Sequence, residues 1–157
     1  GNMHGIMAAL DRFSGLPHRL EFIANVGGVR FYNDSKATNI DAVIRALESF
    51  SEPVVLLLGG RNKGGDFTVL ADSVRHRVTH LITFGEARNE IFSALSGIVT
   101  AAFAQSMSDV VGSARKISET GDVVLLSPGC ASFDMYENYA RRGDDFRRYV
   151  QKLKEAA

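Results

Sequence analysis

The sequence predicts an α/β fold: a Rossmann-like, open, mostly parallel sheet flanked by helices, with an N-terminal antiparallel hairpin supplying an edge strand. Three observations lead there. Short β-type runs alternate with segments of helical period, the order that right-handed crossovers turn into a parallel sheet. One run, residues 54–58, is aliphatic without a break, as in strands covered by helices on both faces. The first two runs are separated only by Val26-Gly27-Gly28, which reads as a tight hairpin-like turn.

The elements follow in order. Residues 20–25 and Val29–Asn33 are the hairpin strands. A helix over 39–50 carries Ile40, Val43, Ile44 and Leu47 at helical spacing, with Asp41 in its first turn. Pro53 precedes the strand 54–58, and Gly59-Gly60 ends it. A helix over 67–78 follows, with Asp66 as N-cap and Phe67, Leu70, Val74 and Val78 on one face. A strand over 80–84 stops at Gly85, and a helix over Arg88–Leu95 turns Ile91, Phe92 and Leu95 inward. A weaker strand spans 98–103, then a helix over 108–119 with Val110, Val111, Ala114 and Ile117 as its stripe. The strand 122–126 is the last, and a helix over 144–154 closes the chain on Phe146, Tyr149, Val150 and Leu153.

At 157 residues the chain is one domain, 45% hydrophobic and 23% charged. Its 18 basic residues balance 18 acidic ones, which argues against nucleic acid and polybasic membrane-surface binding. A single cysteine, Cys130, excludes an internal disulfide framework and any multi-cysteine zinc site, and fits a cytosolic domain. No run approaches the length of a membrane span, and the start lacks a signal-peptide pattern. Gly1 reads as a cloning scar, with the natural start further upstream in a longer protein.

Three polar segments stand at predicted strand ends: 33–39 (Asn-Asp-Ser-Lys-Ala-Thr-Asn), 59–66 (Gly-Gly-Arg-Asn-Lys-Gly-Gly-Asp) and 127–134 (Ser-Pro-Gly-Cys-Ala-Ser-Phe-Asp). Ligands of open α/β sheets gather at this edge, and the lysines, hydroxyls and backbone N–H groups suit carboxylate or phosphate. Each segment also has a plain structural reading. Residues 33–39 carry the residue types of an ordinary strand-to-helix turn. The glycines of 59–66 match neither a Walker A loop nor G-x-G-x-x-G and could serve a crowded turn, although such a turn has no need of Lys63. Cys130 is read as a small buried hydrophobe rather than a nucleophile. The four histidines show no metal-ligand spacing, so no metal site is assigned. Arg141-Arg142 and Arg147-Arg148, flanking Asp144-Asp145, are read for the most part as solvated helix surface.

Taken in order, residues 15–21, 33–39, 58–67, 126–134 and the closing Asn138-Tyr139-x-x-Arg142-Gly143-Asp144-x-Phe146 resemble the C-terminal domain of the Mur ligase family, specifically its D-glutamate-adding branch. The resemblance covers nearly the whole chain from about residue 13; residues 1–12 would be an interdomain linker or tag remnant, and 13–157 the domain. The family's UDP-binding and central ATPase domains, with the GKT-type loop and magnesium ligands, have no counterpart in these residues. The resemblance implies a cytoplasmic step of peptidoglycan synthesis. ATP, with Mg2+ held mainly by the central domain, phosphorylates the carboxylate of UDP-N-acetylmuramoyl-L-alanine, and the D-glutamate amine attacks the acyl phosphate. It places D-glutamate at Thr38, Lys63, Ser132 and Tyr139 with Phe133 lining the site, the reacting phosphate near catalytic Lys36, and nucleotide ribose and phosphates at Arg19 and Asp34. The Tyr139 hydroxyl departs from the aromatic common there. Implied partners are the two substrates and the other domains of the same enzyme, with no nucleic acid or membrane. Other Mur ligases and folylpolyglutamate synthase-type enzymes share this domain but usually carry a D-x-A-H-N-type segment where this chain has 34–39. A free-standing, non-catalytic anion-binding α/β module is the alternative of a different class.

Overall fold

The computed structural model describes residues 15–157; the expected linker or tag over 1–12 lies outside them. Six strands form one sheet: β1 (Glu21–Val26), β2 (Val29–Asn33), β3 (Val54–Gly59), β4 (Val78–Phe84), β5 (Thr100–Phe103) and β6 (Val123–Leu126). Their spatial order is β1-β2-β6-β3-β4-β5. Among the strands of the described residues, β1 and β2 pair antiparallel and the other four pairings are parallel. The open, mostly parallel sheet with its antiparallel edge strand is the fold expected from the sequence.

Five α-helices cover the sheet among the described residues: α1 (Ile40–Glu48), α2 (Ala71–Arg77), α3 (Arg88–Leu95), α4 (Met107–Ile117) and α5 (Tyr139–Ala156). The pleat sends alternate strand residues to opposite faces, so each face has its own core. Val54, Leu56, Leu58, Val123 and Leu125 pack with α1, α2 and α3 through Val43, Leu47, Val74 and Ile91. Val55, Leu57, Val124 and Leu126 pack with α4 and α5 through Val110, Ala114, Phe146 and Val150. This double burial is why β3 and β6 read as uninterrupted apolar runs.

Most strand and helix ends shift by one or two residues from the expected bounds, as at Ile40–Glu48, Val78–Phe84 and Thr100–Phe103, and three helices differ for local reasons. The helix over 67–78 is split into a 3-10 turn over Phe67–Leu70 and α2, because Asp66 caps Thr68 N (3.0 Å) while Val78 already belongs to β4. Helix 108–119 runs from Met107 to Ile117, capped by Ser106 on Asp109 N at 3.2 Å. The closing helix starts five residues earlier than the expected 144, at Tyr139, because the Asn138 side chain accepts from Arg141 N at 2.9 Å.

After β6 the chain passes to the α5 face, whereas after β2 and β3 it passes to the α1–α2 face. The loops following β2, β6 and β3 therefore part around a crevice at the carboxyl end of the sheet. This is the place where open α/β sheets bind ligands.

Candidate functional site at the carboxyl rim

The three polar segments meet on this rim because β2, β6 and β3 are neighbours. Main-chain bonds knit them together. Gly129 N donates to Ala37 O (2.8 Å), Gly59 N to Pro128 O (3.1 Å), and Arg61 and Ala131 exchange N–H···O bonds of 2.9 and 3.0 Å. Gly60 makes the last junction possible: its φ is +131°, and a Cβ would stand 2.3 Å from Ala131 O.

Arg142 is the brace beneath these loops, and the reading of its charge as solvated surface is corrected here. It is only 1% exposed. Its Nε donates to Ser35 Oγ (2.9 Å), Nη2 to Ser35 O (2.8 Å) and Nη1 to Cys130 O (3.0 Å). Ser35 Oγ in turn donates to Tyr139 O at 2.7 Å. Burial pulls the Arg142 guanidinium down to about 10, so it stays charged at neutral pH. The signal was present in the sequence: Arg142 lies four residues before Phe146 and shares its inward face. It could be read only once the helix was known to begin at Tyr139. Cys130, also fully buried, has its thiol pushed up to about 12 by desolvation, which suits an inert interior residue.

Two hollows flank the start of α1. The first, about 430 Å3, is lined by Arg19, Asp34, Lys36, Asn39 and Arg45 among others. Asp34 is nearly buried; its Oδ1 accepts from Leu20 N (3.1 Å) and its Oδ2 from Ser127 Oγ (2.8 Å). Desolvation nevertheless pushes its carboxyl up to about 6, against the pull of those bonds and of the Arg19 and Arg45 charges. Arg19 sits between His18 and Leu20, whose φ angles of +66° and +44° lie in the left-handed region. That turn is held in place: His18 O accepts from Lys36 N (3.0 Å), and Asn33 Nδ2 donates to His18 Nδ1 at 2.9 Å. Gly143 lets α5 approach, since a Cβ there would stand 2.1 Å from His18 Nδ1. Lys36 Nζ lies over the Tyr139 ring at 5.7 Å, and that ring meets His18 edge-on at 5.9 Å.

The second hollow, about 350 Å3, is lined by Thr38, Asn39, Asp41, Asn62 and Lys63 with the glycines of the loop after β3. Asn62 shapes that loop: its Nδ2 donates to Gly65 O (3.0 Å) and to Glu90 Oε1 (3.0 Å), and its Oδ1 accepts from Gly65 N (2.8 Å). Lys63 is exposed and forms no ion pair among the described residues. The structure thus joins Arg19, Asp34 and Lys36 in one hollow and Thr38 with Lys63 in the next. Tyr139 reaches the first group through Lys36. Ser132 (3% exposed) and Phe133 (62% exposed) lie on the loop after β6 and line neither hollow.

Cations and hydroxyls at the strand ends of this topology define a class: an α/β domain with the chemistry to take anionic small molecules on its carboxyl rim. Comparison with known proteins takes the assignment further. Residues 18–130 match the family model "Mur ligase, glutamate ligase domain", and the chain belongs to that family. It is 52% identical over 152 residues to the UDP-N-acetylmuramoylalanine--D-glutamate ligase of Desulfatibacillum aliphaticivorans, covering 97% of this chain and 34% of that protein. It is also 52% identical over 153 residues to the enzyme of the same name from Desulfosudis oleivorans, covering 98% and 33%. The chain therefore spans about a third of the length of the curated relatives it matches. Among solved structures, the MurF ligase of Thermotoga maritima in complex with ADP aligns with a TM-score of 0.61 at 17% identity, covering 90% of this chain and 32% of that one. The UDP-N-acetylmuramate-alanine ligase of the same organism aligns at 0.59 and 13% identity, covering 100% and 34%.

Proposed function

We propose that this chain is the C-terminal, acceptor-binding domain of an ATP-dependent ligase that adds D-glutamate to UDP-N-acetylmuramoyl-L-alanine during cytoplasmic peptidoglycan synthesis. Residues 13–157 form the domain, and the UDP-binding and central ATPase domains complete the enzyme. The observation that carries this reading is the rim itself: motif segments far apart in sequence meet at two adjoining hollows, one with Arg19, Lys36 and Arg45 around Asp34, the other with Lys63 beside Thr38, Asp41 and Asp66. Whole-chain similarity to relatives named for the D-glutamate reaction supports it.

In this reading the second hollow and the adjacent loop after β6 take D-glutamate. Lys63 and Thr38 hold one carboxylate, Ser132 and Tyr139 the other, and Phe133 walls the site. A dicarboxylate with a reacting amine needs donors at both ends, and that orientation supplies much of the rate. The first hollow takes the nucleotide: three cations, Arg19, Lys36 and Arg45, around one carboxylate fit a polyphosphate. Mg2+ would accompany ATP, held mainly by the central domain. ATP supplies the phosphoryl group that activates the substrate carboxylate. Lys36, catalytic in this scheme, neutralises charge on the reacting phosphate, and Arg142 fixes it through Ser35.

Amide NMR titration of this chain with D-glutamate, with L-glutamate and ATP as controls, tests the acceptor site. Shifts confined to Thr38, Lys63 and 132–139 and specific to the D-enantiomer are expected; identical shifts with both enantiomers would remove the acceptor assignment. In the full-length enzyme, Lys36→Ala should lower turnover at least tenfold while ATP and D-glutamate requirements change by less. A loss confined to binding would reduce Lys36 to a binding residue.

A further inference from the structure

The turn that carries Lys63 is closed by its own neighbours. Asn62 Oδ1 accepts from Gly65 N (2.8 Å) and Asn62 Nδ2 donates to Gly65 O (3.0 Å), so one side chain bridges across Lys63 and Gly64. Just before the turn, Arg61 exchanges main-chain bonds with Ala131. The Asn62–Gly65 bonds give the turn its shape but join it to no other element. That tie comes from Glu90, in the first turn of α3, whose Oε1 and Oε2 accept from Asn62 Nδ2 at 3.0 and 3.2 Å. A primary amide has two N–H donors; here Gly65 O takes one and the Glu90 carboxylate the other. Because an ionised carboxylate only accepts, Glu90 also decides which end of the Asn62 amide faces α3, and the amide oxygen is left for Gly65 N. Glu90 belongs to none of the motif segments and lines neither hollow. Glu86 reaches the same loop through an ion pair with Arg61 (2.8 Å), but both side chains are about half exposed. The Arg61 backbone is already fixed on Ala131, so that pair adds little to where Lys63 stands.

We propose that Glu90 is a positioning residue for the acceptor amino acid: through Asn62 it holds the turn after β3 against α3, and so sets where the Lys63 ammonium stands in the second hollow. This role rests on the assignment of Lys63 to a D-glutamate carboxylate. Glu90 itself touches no ligand.

Steady-state kinetics of the full-length enzyme, with D-glutamate and ATP each varied, test the role. Glu90→Ala should raise the D-glutamate KM about 3- to 10-fold, as expected for loss of one charge-assisted hydrogen bond that orients a binding group. The ATP KM should stay within about twofold. Glu90→Gln should remain within about twofold of wild type on both, because its side-chain oxygen still accepts from Asn62. In a Lys63→Ala background Glu90→Ala should add almost nothing, since a residue that acts through Lys63 has no effect once Lys63 is gone. Asn89→Ala, at the neighbouring exposed position of α3, controls for substitution of the helix surface. Equal rises in the D-glutamate and ATP KM, or an undiminished effect in the Lys63→Ala background, would make Glu90 a purely structural residue and overturn the role. If Lys63→Ala raises the D-glutamate KM and Glu90→Ala does not, the positioning role falls while the acceptor assignment stands. If neither variant raises it, both fall.

Discussion

The rim has a braced side and an open side, and they use their cations differently. On the braced side Arg142 is buried and gives its donors to Ser35 and Cys130, fixing the loops after β2 and β6. On the open side the loop after β3 is shaped by the neutral Asn62, and Lys63 stays exposed. A cation whose donors are satisfied inside the protein can position neighbours but has none left for a ligand; a solvated one can neutralise an incoming anion. The contrast puts the cation that fixes geometry on one side and a solvated cation on the other.

Removing the brace should have the largest effect. Arg142→Met leaves Ser35 and Cys130 acceptors buried without donors, and a stability loss of about 3–5 kcal/mol is expected from urea unfolding. A loss below about 1 kcal/mol would mean that the main-chain bonds hold the rim unaided. Gly60→Ala attacks the junction between the two sides, where the new methyl would meet Ala131 O, and should cost about 2–3 kcal/mol.

Asp34→Asn sharpens the comparison through pH. The native carboxyl is raised to about 6 from 3.8, so the folded state binds its proton more tightly than the unfolded chain does. The penalty for burying the ionised form is present in full above pH 6 and is relieved as pH falls toward 4. Wild type should therefore gain on the Asn variant by about 2 kcal/mol between pH 7 and pH 4 in paired urea titrations. Parallel curves would show that Asp34 is not desolvated. Lys63→Ala is expected to be the mildest, moving stability by less than about 0.5 kcal/mol. In the full-length enzyme the same change should raise the D-glutamate requirement far more than the ATP requirement. An unaltered D-glutamate requirement would return Lys63 to an ordinary loop residue.

Much of this architecture was legible in the residues. The aliphatic run at 54–58 announced a strand with two covered faces, and its alternate side chains do enter two separate cores. The rim segments were legible because strand ends in a parallel sheet share one edge. Arg142 was not, since an arginine beside Arg141, Asp144 and Asp145 reads as surface until Asn138 is recognised as the cap that starts α5. Nor could the division of the rim residues into two hollows be read. It depends on where α1 stands: Asn39 lines both hollows, and the side chains on either side of it are sorted by the helix's orientation.

The position of β6 has a consequence for synthesis. The sixth strand in sequence is third in space, and β2 and β3 are bonded to each other only through it. A nascent chain that has emerged only as far as residue 120 holds a hairpin and a three-stranded parallel piece with no main-chain ladder between them. Long-range parallel pairing of this kind is slow to form. The rim cannot be assembled until the last quarter of the domain has left the ribosome, so truncation before β6 should yield two unjoined sheets with exposed aliphatic edges rather than a smaller version of the fold.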